Sequence, residues 1–234
     1  MKLNKVIYFL IIVFIVNSIS LYSKNIEEIV VTGTKSKTQI IDQTGNLSFI
    51  NSEEINFISP DNPSNVLNRM PGVFISQGSG QEHLTSIRSP VLSGGAGAGS
   101  FLYLEDGIPL RSPGFSNVNG LMESTIEIAE RTEVIRGPGS VLYGSNAVHG
   151  LINVITEKNN PTYNNKINLR AGKNKINFNS SAYRNLDNSN ILFNFLWKED
   201  NGYTNNYTDE NSDKFDKPHY GQQKFLIRMN TQKN

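Results

Sequence analysis

The side chains best suited to proton transfer or metal binding in this 234-residue chain are three histidines, His83, His149 and His219. None has an Asp, Glu or Cys partner at ligand or triad spacing. Zero cysteines removes thiolate catalysis, thiolate metal sites and disulfides together. A Gly-x-Ser-x-Gly elbow is also missing, so each histidine is expected to be structural or solvent-exposed. Ser93-Gly-Gly-Ala-Gly-Ala-Gly99 invites a phosphate-loop reading and fails it. The dinucleotide fingerprint needs a further glycine where Ser100 or Leu102 stands, and no Gly-Lys-Ser/Thr occurs. A strand, Phe101-Leu-Tyr-Leu104, follows that loop where a helix N-terminus would have to hold the anion. The reading is a protein without catalytic residues, metal ligands or cofactor. Chemistry of another kind resides in two features. Arg88 and Arg136 require carboxylate partners if buried and are worth under about 1 kcal/mol as surface pairs. Ile26-Glu-Glu-Ile-Val-Val-Thr-Gly33 is a β-forming run suited either to opening a sheet or to pairing with the sheet of a partner.

The elements that position these residues are organised around Glu130 to Lys158, ERTEVIRGPGSVLYGSNAVHGLINVITEK. Two apolar, β-branched runs, 133–135 and 151–156, flank a connection punctuated by Gly137, Pro138, Gly139, Gly144 and Gly150. Ser140–Tyr143 and Ser145–Val148 each have room for one helical turn, so the pattern predicts strand, two helical turns, strand. Upstream, Leu47–Ile50 reads as a strand. Asn51 with Glu54, and Asn62 before Pro63, read as helix starts. Pro71-Gly72 ends the second helix, Val73–Ile75 and Thr85–Arg88 are strands, and Asp106-Gly107 turns a hairpin into Ile108–Leu110.

Composition bounds the partners. The chain is 37% hydrophobic and 18% charged, and a net charge of +1 gives no case for nucleic acid. Lys2 and Lys5 precede an apolar run from Val6 to Val16 and a serine-rich exit, which describes a secretory signal peptide. The run falls short of the ~20 residues a membrane-spanning helix needs. Cleavage after Ser20 or after Ser23 fits equally.

Taken in order, the segment 130–158, the run 26–33, Leu-Asn-Arg-Met-Pro-Gly-Val at 67–73 and the Asp-Gly hairpin resemble TonB-dependent outer-membrane receptors. The first matches the ERIEVIRGP…SALYGS.A.GGVINIIT signature that ends the plug domain of that family, with Thr132 where Ile is usual and His149 where Gly is usual. The resemblance implies that Ile29, Val30, Val31 and Thr32 form a TonB box, pairing in the periplasm with the energy-coupling protein TonB. A polar tether, Gly33–Gln43, would let it reach. It also implies that Arg88 and Arg136 lie between plug and barrel wall, paired with wall carboxylates. Plug loops would face the substrate through Gln77, Ser79, Gln81, Arg111, Phe115 and Asn117, the alternative being solvated loops with no ligand role. The small-molecule ligand commonest in the family is a ferric siderophore, with haem, cobalamin or glycan as rivals.

After Pro161 the pattern alternates: Lys166, Asn168 and Arg170 against Ile167 and Leu169, and later Ile191, Phe193, Phe195 and Trp197 on one face. Such segments suit a transmembrane β-barrel wall, apolar toward outer-membrane lipid; a soluble sandwich is the competing reading. Turns are expected at Gly172–Asn174 and Asn185–Asn190, with a long loop from Lys198 to Gln223. The expected fold class is an α+β plug, a small mixed sheet with short helices, followed by antiparallel transmembrane strands of an incomplete barrel. The domains are expected at 1–23 (signal peptide), 24–44 (TonB box and tether), 45–160 (plug) and 161–234 (first barrel strands). Four strands cannot close a barrel that needs ~8, so the chain is expected to be an N-terminal piece of a longer receptor or a truncated product. Residence in the outer membrane of a Gram-negative cell with TonB-coupled uptake is one expectation. The other is a soluble exported binding or adhesion module.

Overall fold

The computed structural model describes residues 29–30, 32–34, 38–39, 46–77, 83–89, 100–110, 120–156, 165–186, 189–200 and 220–231. Within the first globular region the strands are β1 (Ile29–Val30), β2 (Thr38–Gln39), β3 (Leu47–Asn51), β4 (Val73–Gln77), β5 (His83–Ile87), β6 (Phe101–Glu105), β7 (Ile108–Pro109), β8 (Arg131–Ile135) and β9 (Gly150–Ile155). Three helices accompany them: α1 (Ser52–Ile58), α2 (Pro63–Leu67) and α3 (Ser140–Tyr143).

The Leu151–Ile155 run becomes the central strand of a five-stranded sheet ordered β3-β8-β9-β6-β7. Every residue of β9 is buried, as expected of a strand covered on both faces. It pairs antiparallel with β8, Val134 opposite Ile152, and parallel with β6, Tyr103 opposite Ile152. The parallel pair needs a long crossover, and the two short 3₁₀ turns 120–123 and 126–128, β8 and α3 fill it. On one face the core gathers Val66, Leu67, Ile126, Val134 and Ile152, none of them measurably exposed. Leu102, Leu104, Ala147 and Leu151 make a second cluster on the other face.

The helix ends follow the chain's own chemistry. The Asn51 side chain accepts from the Glu54 N–H at 2.9 Å and starts α1, and Asn62 with Asn65 closes a reciprocal cap ahead of Pro63. Asp106 and Gly107 both take positive φ, 51° and 80°, as a two-residue hairpin of this hand requires. Two local expectations need correction. Only Ser140–Tyr143 forms a helical turn; Ser145–Val148 is an irregular turn, because Gly144 at φ 86° leaves the helical region and too few residues follow to nucleate another helix. β5 ends at Ile87, and Arg88 lies outside it at φ 50°.

The alternating region forms a separate four-stranded antiparallel sheet in sequence order: β10 (Asn165–Ala171), β11 (Lys175–Leu186), β12 (Ser189–Asp200) and β13 (Tyr220–Thr231). β11, β12 and β13 have 12 residues each, enough for a tilted strand to cross a bilayer. The strands extend further than expected, so only 187–188 and 201–219 remain between them, both outside the described residues. Ile167, Leu169, Phe193, Phe225, Ile227 and Met229 are exposed on the outer face, with Phe195 stacked on Phe225 at 4.8 Å between ring centres. Leu192, Asn194, Leu196 and Lys198 face the first region and are buried.

Close approach leaves Gly150 no room for a side chain. A Cβ there would stand 2.8 Å from the Ile135 carbonyl oxygen and 2.9 Å from the Ile87 side chain. Gly150→Ala is expected to destabilise the sheet by about 1–3 kcal/mol, read as a lower urea midpoint with an unchanged slope.

Candidate functional site

Two sites emerge, one where the chain's front segment docks on the sheet and one where the sheet region meets the wall. At the first, part of the expected TonB box meets part of the expected tether. Ile29–Val30 pair antiparallel with Thr38–Gln39, Ile29 opposite Gln39 and Val30 opposite Thr38, and residues 32–34 turn between them. Val31 lies outside the described residues. Thr32 is fully buried and held at three points by three different elements. Its N–H donates to Glu133 Oε2 on β8 at 2.7 Å. Asn153 Nδ2 on β9 donates to its hydroxyl oxygen at 2.9 Å, and the Tyr143 hydroxyl on α3 donates to its carbonyl oxygen at 2.9 Å. Glu133 is itself fully buried, and the Arg131 guanidinium supplies the compensating charge, Nε to Oε1 at 2.5 Å. Burial and the Glu133 charge push the Tyr143 phenol up to about 12, so it remains a neutral donor at physiological pH.

The second site is a seam of plug carboxylates against wall cations. Glu127, in the 3₁₀ turn 126–128, pairs with Lys198 of β12 and approaches Lys224 of β13 at 3.9 Å; side-chain exposure is 8% for Glu127 and 5% for Lys198. Burial opposes ionisation of Glu127, yet the charges of Lys224 and Lys198 outweigh it and hold the carboxyl below its ordinary value. Lys198 also donates to the Asp61 carbonyl at 3.0 Å and Lys224 to the Ser124 carbonyl at 2.5 Å. Asp106 pairs with Arg228 of β13 at 2.5 Å and accepts from the Thr156 N–H and hydroxyl at 2.8 and 2.6 Å. Asp61 meets Arg170 at 3.2 Å and Lys175 at 3.8 Å in a more exposed setting. A cavity of about 300 Å³ lies between α1, Glu127 and strands β10 to β12, beside these pairs.

Arg88 and Arg136 take no part in this seam. Arg136 Nη1 donates to the Pro71 carbonyl at 2.9 Å, and its Nε is buried without a hydrogen-bond partner. Both side chains lie beside Gly72: a Cβ there would meet Arg88 Cγ at 3.1 Å and Arg136 Cδ at 3.9 Å. Burial and the Arg88 charge lower the Arg136 pKa, and among the described residues neither guanidinium has a carboxylate partner. Of the expected ligand-facing residues, Gln77 ends β4, is exposed, and accepts from the Ser64 hydroxyl at 3.3 Å. Ser79, Gln81, Arg111, Phe115 and Asn117 lie outside the described residues. Glu127, Asp106, Glu133 and Asn153 were missed by sequence reasoning. Their signal was faint: acidic or amide side chains inside otherwise apolar runs. No group of histidine and carboxylate residues suited to a metal occurs among the described residues.

A mixed sheet carrying short helices is packed by buried ion pairs on an antiparallel sheet with an apolar outer face, an arrangement similar to the plug and first wall strands of TonB-dependent outer-membrane receptors. The chain carries such a plug: the TonB-dependent Receptor Plug Domain family matches residues 39–151. A vitamin B12 transporter, BtuB of Vibrio vulnificus, is 33% identical over 147 residues, covering 62% of this chain and 23% of that protein. The chain thus spans about a quarter of that relative's length. The pyoverdine outer membrane receptor FpvA of Pseudomonas aeruginosa superposes with a TM-score of 0.65 at 18% identity, covering 88% of this chain and 28% of that one. The ferric yersiniabactin uptake receptor FyuA of Yersinia pestis superposes with a TM-score of 0.53 at 17% identity, covering 79% and 28%. At these identities the two structures speak to the fold.

The Glu127 pair carries a pH signature. Because its carboxyl is held below the ordinary value of 4.5, its stabilisation of the seam is fully present above that pH and is lost as pH falls through the lower, folded value. Thermal unfolding followed from pH 7 down to pH 3 is expected to show this loss. Glu127→Gln, which removes the carboxylate that pairs with buried Lys198 and lies near Lys224, is expected to cost about 3–5 kcal/mol at pH 7 and to flatten the acid limb of the profile.

Proposed function

We propose that this protein is an energy-coupled importer of the outer membrane, taking up a scarce nutrient through a plug that TonB displaces. The observation that carries the reading is the front segment itself. Among the described residues, the β-forming run Ile29–Thr32 pairs with Thr38–Gln39 and is joined to β8, β9 and α3 by hydrogen bonds at Thr32, an attachment that a pull on the segment could undo. A strand of this kind, once freed, offers main-chain donors and acceptors to a partner sheet. In this reading Ile29, Val30, Val31 and Thr32 form the TonB-binding site. Residues 1–23 are a cleaved signal peptide, 24–44 the box and tether, 45–160 the plug and 161–234 the first barrel strands. Arg88 and Arg136, two neighbouring cations without a described carboxylate, receive theirs from wall strands other than β10–β13.

Substrate enters from outside and meets the plug loops bearing Gln77, Ser79, Gln81, Arg111, Phe115 and Asn117. A ferric siderophore is the first cargo proposed. Cobalamin is the second, favoured by the 33% likeness to a protein named as a vitamin B12 transporter. The wall works only when its strands close into a barrel, because an open sheet edge in lipid strands its backbone donors and acceptors.

A pull-down with a periplasmic TonB fragment tests the partner. The wild type is expected to bind and Val30→Pro to lose binding, since proline removes a ladder donor. Equal capture of both proteins removes the box assignment.

A further inference from the structure

Asn153 has two tasks in the structure, and they face opposite ways. Its Nδ2 donates to the Thr32 hydroxyl oxygen at 2.9 Å, while its Oδ1 accepts from the Gly107 N–H at 3.1 Å. Gly107 is the second turn residue of the β6–β7 hairpin, and the first, Asp106, is gripped by Arg228 of wall strand β13 at 2.5 Å. The same Arg228 Nη1 donates to the Thr156 hydroxyl at 3.0 Å, and Thr156, immediately after β9, donates twice to Asp106. An unbroken polar path therefore runs from the wall, through the hairpin turn and one amide side chain, to the docked front segment. Asn153 is 1% exposed in the middle of an apolar strand, a position where an amide costs free energy unless both ends are satisfied. Packing alone would favour Leu or Val there.

We propose that Asn153 is a positioning residue that relays the wall's grip on the Asp106–Gly107 turn to Thr32, so that the plug's seating on β13 sets how firmly the front segment is docked. This rests on the reading of that segment as the part a partner must free. Shift the turn away from Arg228 and the Gly107 N–H moves with it, the Asn153 amide reorients, and Thr32 loses one of its three holds. Glu133 and Tyr143 then hold Thr32 by two bonds where it had three. The relay makes the tail's availability respond to how plug and wall fit together.

The absence of cysteine from these 234 residues allows a single spin label at Ile29→Cys, read by electron paramagnetic resonance on the purified full protein in detergent with no TonB present. The ratio of mobile to docked signal reports release. Asn153→Ala and Thr32→Val are each expected to raise it about five-fold, the effect of one buried hydrogen bond. Arg228→Met is expected to raise it at least about two-fold from a distance, and to add nothing in a Thr32→Val background, where the relay has no end point. Thr32→Val leaves the plug sheet intact and carries the test if Asn153→Ala fails to fold. An unchanged ratio in Thr32→Val, an unchanged ratio in Arg228→Met, or an Arg228→Met effect undiminished in the Thr32→Val background each overturns the relay. TonB plays no part in the readout, so a failed pull-down and a failed relay are separate results.

Discussion

A carboxylate taken out of water is stable only against a cation or several donors, and that constraint determines how the parts of this protein meet. Glu133, with no exposed surface, pairs one oxygen with Arg131 and accepts the Thr32 N–H with the other. Glu127 lies between Lys198 and Lys224, and Asp106 against Arg228. The Glu133 bond to Thr32 joins front segment to plug, and the Glu127 and Asp106 pairs join plug to wall. An apolar interface of the same area would hold these pieces as well, but it would not fix register. Charges that must find one partner do, and they separate without leaving an adhesive apolar surface behind.

The plug sheet is the rigid frame on which these contacts depend. β9 is buried throughout, braced antiparallel by β8 and parallel by β6. Asn153 is the one polar side chain of β9, with both ends of the amide engaged. Around that frame, among the described residues, Thr32 ties the front segment to the sheet while Glu127 and Asp106 tie the sheet to the wall.

Much of the fold was legible in the sequence because local chemistry and tertiary outcome agree. Asn51 and Asn62 capped the helices they announce, Asp106-Gly107 turned its hairpin, and the alternation after Pro161 became a sheet with an apolar outer face. Ser145–Val148 misled because four residues after a positive-φ glycine have the composition of a helical turn without the length to nucleate one. The seam was invisible for a different reason. Lys198, Lys224 and Arg228 could be placed on the polar face of their strands by period-two counting, but their partners lie in short 3₁₀ and hairpin turns with no periodicity to aim a side chain. The docking of Thr32 was equally hidden. A run of Ile, Val and Thr states its readiness to pair, never with what, and its contacts lie more than a hundred residues away.

The central claim is that a docked but separable front segment makes this protein an importer driven from the periplasm. The most direct measurement is growth of a strain lacking its own copy of the gene, on limiting iron, cobalamin or carbohydrate, complemented by the protein with or without residues 26–33. The account predicts that one nutrient restores growth only when those residues are present, and that a protonophore abolishes uptake. Restored growth without residues 26–33, or uptake indifferent to the proton gradient, contradicts it.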